Sequence, residues 1–273
     1  MAIDRVTGTA HSQWRDTLAV EEPLEIRVAF RDSSAEVQKS ISITMRTPGN
    51  DFELACGFLF TEGIVRRAED VASVRHCGPG VGASSLQNVV RVELAADVQV
   101  DLKRLERHFY TSSSCGVCGK TSIEALNVTG LKRRTDALPT VEAETVHRLP
   151  ETLRGAQDVF SKTGGLHAAG LFDTHGALLS LREDVGRHNA LDKLIGAELL
   201  AARLPASDKV LVVSGRASFE LVQKAVVAGI PIMAAVGAPS SLAVELAERY
   251  GMTLLGFVRD ERFNIYCGKQ RLP

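Results

Sequence analysis

The sequence predicts an α/β protein of two lobes: a large one on a mainly parallel mixed sheet and a smaller N-terminal α+β one. Three observations carry this. After Pro150, strands alternate with helices of about ten residues, the pattern of βαβ crossovers. Two of those strands, Val210-Leu211-Val212-Val213 and Ile232-Met233-Ala234-Ala235-Val236, are continuous apolar runs that suit burial on both faces. In the first third, apolar residues instead alternate with period two, as in strands with one wet face.

In the small lobe, Leu24 to Phe30 and Ser40 to Met45 read as strands. Thr47-Pro48-Gly49-Asn50 then breaks the chain, and Asp51 to Thr61 reads as a helix closed by Gly63. Val71 to Val74 and Val89 to Leu94 are two further strands around a glycine-rich turn at Gly78 to Gly82. The helix is expected to cover one face of an antiparallel sheet. Thr111 to Gly119 has neither apolar period, and small residues surround Cys115 and Cys118, so it reads as an exposed, mobile loop. Polar sequence from Lys132 to about Val146 reads as a linker or a surface excursion. The organisation is therefore 1–110, a small α+β domain; 111–147, the C-x-x-C loop and linker; and 148–273, the large α/β domain.

In the large domain a helix is expected from Pro150, at its first turn, to about Lys162. Leu166 to Phe172 and Ala177 to Leu181 form a strand pair around the turn Asp173-Thr174-His175-Gly176. Asn189 to Ala202 is a helix with Asn189 as a candidate N-cap. Then follow strand Lys209 to Val213, helix Phe219 to Val227, strand Ile230 to Val236, helix Leu242 to Tyr250 and strand Thr253 to Val258.

Composition bounds the function. The chain has 273 residues, 45% hydrophobic and 24% charged, with 32 Lys+Arg against 33 Asp+Glu. That excludes a disordered or fibrous chain, and a net charge of -1 speaks against nucleic-acid binding through a bulk positive field. No apolar run approaches the roughly 18 residues of a membrane span, and the start is too polar for a secretory signal. The expectation is a cytoplasmic protein with no membrane or nucleic-acid partner. Five cysteines, an odd number, do not make a disulfide framework. Cys115 and Cys118 are the one close pair, which points to redox, metal or sulfur chemistry.

In an open parallel sheet, ligands sit beyond the carboxyl ends of the strands. Two loops there are legible: Ser214-Gly215-Arg216-Ala217-Ser218 and Gly237-Ala238-Pro239-Ser240-Ser241. Each offers a glycine for close backbone approach and hydroxyls near helix N-termini, a setting for a phosphate or other anion; equally, these are common turn and cap residues. Arg259 and Arg262, flanking Asp260 and Glu261, read either as a pyrophosphate clamp or as solvated surface. Glu183-Asp184-Val185-Gly186-Arg187-His188-Asn189 gathers polar groups around a glycine, and His167 stands alone in an apolar strand; each reads as structural or functional.

The cysteine loop lacks the second close pair of a four-cysteine zinc site. It also lacks the H-x-E and P-C-x-x-C of a zinc deaminase and the strand before a thioredoxin-type pair. A thiolate on a mobile loop that hands sulfur onward as a persulfide remains.

Ser113-Ser114-Cys115-Gly116-Val117-Cys118-Gly119-Lys120, Thr163 to Ala169, Glu183 to Lys193, Ser214-Gly215-Arg216, and Phe257-Val258-Arg259 through Asn264-Ile265-Tyr266 together resemble the FdhD family. The likeness runs from about residue 20 to 267. It implies a sulfur carrier, a sulfurtransferase needed for formate dehydrogenase activity. Such a protein takes persulfide sulfur from a cysteine desulfurase and passes it to bis-molybdopterin guanine dinucleotide, with GDP-like nucleotides as analogues. By the resemblance, Cys115 looks like the persulfide carrier and Cys118 its support. Phe257, Val258, Arg259, Asp260, Glu261 and Arg262 match the cofactor-binding stretch, to which the Ser214, Gly215, Arg216 and Gly237 loops add. The implied fold is similar to cytidine deaminase, without its zinc, and the implied assembly is a homodimer. Two rivals are a chaperone that delivers the cofactor without moving sulfur, and a zinc or redox module on Cys115 and Cys118.

Overall fold

The computed structural model of the chain describes residues 1–32, 35–77, 88–98, 133–136 and 138–273. Cys115, Cys118 and the loop around them lie outside these residues. The chain opens with an antiparallel hairpin, β1 (Ala2–Thr7) and β2 (Ala10–Arg15). Its strands are exposed almost throughout, so they carry no apolar alternation by which the sequence would reveal them.

The small sheet comprises β3 (Glu22–Asp32), β4 (Ala35–Arg46), β5 (Val71–His76) and β6 (Val89–Leu94) in the order β4-β3-β6-β5. It is not purely antiparallel: β3 and β6 run parallel. Helix α1 (Asp51–Thr61) begins and ends where the punctuation and Gly63 place it, and buries Leu54, Ala55, Cys56 and Leu59.

The chain then forms α2 (Ala143–Gly155), α3 (Asp158–Thr163), β7 (His167–Phe172), β8 (Leu178–Asp184), α4 (Arg187–Leu200), β9 (Val210–Val213), α5 (Phe219–Val227), β10 (Ile232–Ala235), α6 (Ser241–Tyr250), β11 (Thr253–Arg259) and β12 (Arg262–Cys267). Three expectations are corrected here. The helix placed at Pro150 to Lys162 is two helices, and the first starts at Ala143 with Pro150 inside it. The proline removes only the donor that the Val146 carbonyl would otherwise receive. The start was hidden because α2 buries a narrow stripe, Val146, Leu149 and Leu153, amid otherwise polar sequence. Asn189 does not cap α4; Gly186 occupies that position. And the six-stranded sheet, in the order β12-β11-β10-β9-β7-β8, is mixed rather than mainly parallel. Only β9, β10 and β11 pair in parallel: β7–β8 and β11–β12 are joined by tight turns that reverse the chain, and β7 also runs antiparallel to β9.

That sheet is buried on both faces. Leu211, Val213, Met233, Ala235 and Leu254 join one core with α4, α5 and α6, while Val210, Val212, Ile232, Ala234 and Leu255 pack with α2 on the other side. The first core continues without interruption into Leu24, Ile26, Val90 and Val92 of the small sheet. The join is α1 against α4, glycine to glycine. A Cβ on Gly57 would lie 2.8 Å from Gly196 N, and one on Gly196 would lie 2.9 Å from Gly57 N. No larger residue allows the two backbones this approach.

Buried ion pairs pin the same joint. Lys224 of α5 donates to both carboxylate oxygens of Asp192 on α4, at 2.8 and 2.9 Å, and to Thr61 Oγ1 at the end of α1. Asp184 is fully buried. It accepts from Lys193 at 2.7 Å and from the backbone N–H of Thr47 at 3.1 Å, in the turn that follows β4.

Candidate functional site at the rim of the large sheet

The carboxyl ends of the parallel strands form a built rim. Past β9, Ser214 N–H donates to Ala168 O, and Ala168 N–H returns a bond to Ser214 Oγ at 2.9 Å. Gly237 N–H donates to Gly215 O at 3.0 Å, and Phe257 N–H donates to Gly237 O at 3.1 Å. The loops after β9 and β10 and the end of β11 are thus laced side by side. Gly237 is required for this, since a Cβ there would stand 3.1 Å from the Arg216 backbone. Phe257 adopts φ 54, a left-handed conformation that costs a non-glycine residue about 1–2 kcal/mol. It sits at a bulge in the β11–β12 register, its ring partly exposed. Strain at such a rim is the kind that functional sites hold.

Three helices begin here: α4 after Gly186, α5 after Ser218 and α6 after Ser240. Their N-termini favour anions. Arg216, Arg259 and Arg262 are exposed, and among the described residues none has a carboxylate within ion-pair distance. Arg259 and Arg262 face each other across β11 and β12, and exposed Asp260 and Glu261 form the turn between them. His147 Nδ1 lies 3.0 Å from the Arg259 carbonyl.

The structure therefore brings Ser214, Gly215, Arg216, Gly237 and Phe257 to one place, with the Arg259–Arg262 turn at the same sheet edge. Val258 differs: it is 1% exposed and packs in the core with Val141, Val146 and Leu149, so its side chain does not reach the rim. His167 enters the rim at the start of β7, its Nδ1 3.4 Å from where a Gly215 Cβ would be. Burial, then the nearby Arg187 and His188 charges, pushes it below the ordinary histidine value.

One cluster at this rim escaped the sequence. His188 Nε2 lies 3.3 Å from Ser218 Oγ and 3.8 Å from Glu220 Oε2. Burial opposes charge on Glu220, yet His188, backbone and Ser218 hydrogen bonds take its carboxyl down to about 2. The stretches holding His188 and Ser218 were each legible as candidates, but their meeting was not, and Glu220, an acid two residues after Ser218, reads as ordinary first-turn chemistry.

Cys56 is fully buried, its thiol pushed up to about 12 by burial, and Cys267 is pushed up to about 11 by the same cause. Neither is a usable thiolate at neutral pH. No group of three or more potential metal ligands occurs among the described residues, and no helix among them is long and apolar enough to cross a membrane.

The profile of the FdhD/NarQ family matches residues 19–273. The "Sulfur carrier protein FdhD" of Streptomyces avermitilis is 51% identical over 270 residues, which is 98% of this chain and 93% of the relative. The protein of that name from Mycolicibacterium paratuberculosis is 53% identical over 258 residues, 94% of this chain and 92% of its own. Among solved structures, a putative formate dehydrogenase accessory protein from Desulfotalea psychrophila superposes with a TM-score of 0.74 at 23% identity. It covers 100% of this chain and 98% of its own, a likeness of fold. Family match and near-full-length identity agree, and the chain belongs to the FdhD/NarQ family.

Proposed function

We propose that this protein is a sulfur carrier that serves formate dehydrogenase by moving sulfur from a cysteine desulfurase to bis-molybdopterin guanine dinucleotide. The observation that carries the reading is identity of about half, over nearly the whole chain, to relatives named sulfur carriers. The chemistry is two exchanges at Cys115. Its thiolate attacks the outer sulfur of the donor persulfide, so that one S–S bond breaks, another forms and the donor thiolate leaves. The Cys115 S–S bond then breaks: Cys115 leaves as a thiolate and is reprotonated, while the outer sulfur passes to the molybdenum of the bound cargo, whose reduced metal supplies the two electrons that bring it to the sulfide level, with Cys118 beside Cys115 in sequence as its support.

The rim suits that cargo. A guanine dinucleotide brings pyrophosphates; Arg216 is an exposed guanidinium just before the N-terminus of α5, and Arg259 and Arg262 are exposed at the β11–β12 turn at the same end of the sheet. In this reading Phe257 and the Gly215 and Gly237 loops line the nucleotide site, two chains form a homodimer, and both act in the cytoplasm. The large lobe, a mixed sheet with helices on both faces, is read as cytidine-deaminase-like.

Intact-protein mass after incubation with desulfurase and cysteine tests the proposal. One sulfur adduct on the wild type and none on Cys115→Ala is the expected result. Binding of GDP without any adduct would leave a cofactor chaperone in its place. Stoichiometric zinc in the purified protein would favour the zinc or redox module.

A further inference from the structure

The two serines that precede α5 and α6 occupy equivalent positions and do different work. Ser240 caps its helix, its hydroxyl accepting from Ala243 N–H at 3.3 Å. Ser218 makes no cap bond. It turns instead to His188 Nε2, which Glu220 also approaches from the first turn of the same helix. Ser218 also hydrogen-bonds the Glu220 carboxylate, which can only accept; its hydroxyl proton goes to Glu220, and Ser218 Oγ is left to accept from His188 Nε2–H at 3.3 Å. With Nε2–H committed, the neutral imidazole keeps its lone pair on Nδ1. A carboxylate that fixes the tautomer and orientation of a histidine in this way is the arrangement that makes imidazole an effective base.

The surroundings agree. His188 side-chain exposure is 13% and that of Glu220 is 16%, so neither is a freely rotating surface group. His167 on β7, at the same rim, has Arg187 and His188 on α4 and Asp184 on β8 as its charged or titratable neighbours. Asp184 is occupied by Lys193. Glu220 is then the carboxylate that faces the His188 ring.

We propose that His188 is a proton-transfer residue at this rim, with Glu220 and Ser218 as positioning residues that leave its Nδ1 to take the proton of a sulfhydryl delivered there. This rests on the sulfur-carrier reading. The step balances: the S–H proton moves to Nδ1, giving a thiolate and an imidazolium, and the same proton returns when a thiolate is later released. No oxidant or reductant is needed. General acid–base assistance of this kind is worth about 10²–10⁴ in rate.

Two measurements test it. In the protein labelled with ¹⁵N-histidine, NMR is expected to show neutral His188 as the Nε2–H form, and Glu220→Ala to mix the two tautomers. An Nδ1–H ring in the wild type overturns the proposal. In the second, sulfur uptake from desulfurase is followed by intact mass against pH. His188→Gln and Glu220→Ala are expected to slow uptake at least about tenfold near pH 7, with recovery toward alkaline pH, where thiols ionise unaided. Glu220→Gln, which keeps the shape of the side chain, covers the case in which alanine perturbs folding. An adduct on the wild type, with rates unchanged in the variants at every pH, overturns the base and leaves the carrier. No adduct on the wild type overturns the carrier reading, while the NMR result still judges the tautomer.

Discussion

Gly57→Ala puts the join between the lobes to the test. The new Cβ would lie 2.7 Å from the Asp192 carbonyl carbon and 2.8 Å from Gly196 N, where ordinary contacts to carbon are about 3.5–4.0 Å. Neighbouring atoms are backbone, so no side chain can swing away, and α1 and α4 must separate by roughly an ångström. Alanine gains about 1 kcal/mol over glycine in a helix interior. Overpacking costs about 1–3 kcal/mol and occasionally more; with backbone on both sides, the upper end applies and the net loss is about 2 kcal/mol. At about 2–4 °C per kcal/mol for a chain of this class, Tm falls by roughly 4–8 °C. Thermal and urea unfolding of the variant measure it. Gly196→Ala is expected to behave alike, and the double variant to lose less than the sum, since one separation accommodates both. A Tm equal to or above that of the wild type would refute the close crossing.

Further outcomes follow from the site and its supports. Lys224→Met strands Asp192, whose carboxyl burial already raises against the relief given by Lys224; loss of the partner is expected to cost about 3–5 kcal/mol, read by urea unfolding. Glu220 is depressed from 4.5 to about 2, so its contribution is complete above pH 4.5 and disappears as pH falls toward 2. Glu220→Gln therefore flattens the acid limb of stability in that window, by up to about 3 kcal/mol, and identical acid limbs for both proteins would contradict the pairing. Arg259→Ala and Arg262→Ala are expected to leave Tm in place, both being exposed, yet to weaken GDP binding at least about tenfold by calorimetry; unchanged affinity removes that turn from the site. Phe257→Gly relieves the positive φ and is expected to keep stability within about 1 kcal/mol while lowering the same affinity.

What the sequence revealed is what repeats locally. The boundaries of α1 and β6 were legible because a cap segment and a clean alternation mark them, and the buried strands β9 and β10 because nothing polar interrupts them. The rim loops were legible for the same reason: each glycine stands two residues past the end of such a strand. Strand direction was legible at β7 and β8, where a turn marks the hairpin, but not at β12. β12 begins at Arg262 and is largely exposed as an edge strand, so it read as a charge run rather than as the return arm of a hairpin. The Glu220–His188 contact joins different helices, and no spacing rule connects them. Val258 shows the converse limit, since a matching motif names a stretch of chain while the pleat decides which side chains reach the rim and which the core.

The central claim is that one sulfur atom rides on Cys115. Loading the protein from desulfurase with ³⁵S-cysteine, then adding bis-molybdopterin guanine dinucleotide, follows that atom directly. The account predicts label on the protein first, its appearance on the cofactor as the protein loses it, and neither event with Cys115→Ala. Label that reaches the cofactor equally well through the Cys115→Ala protein would contradict it.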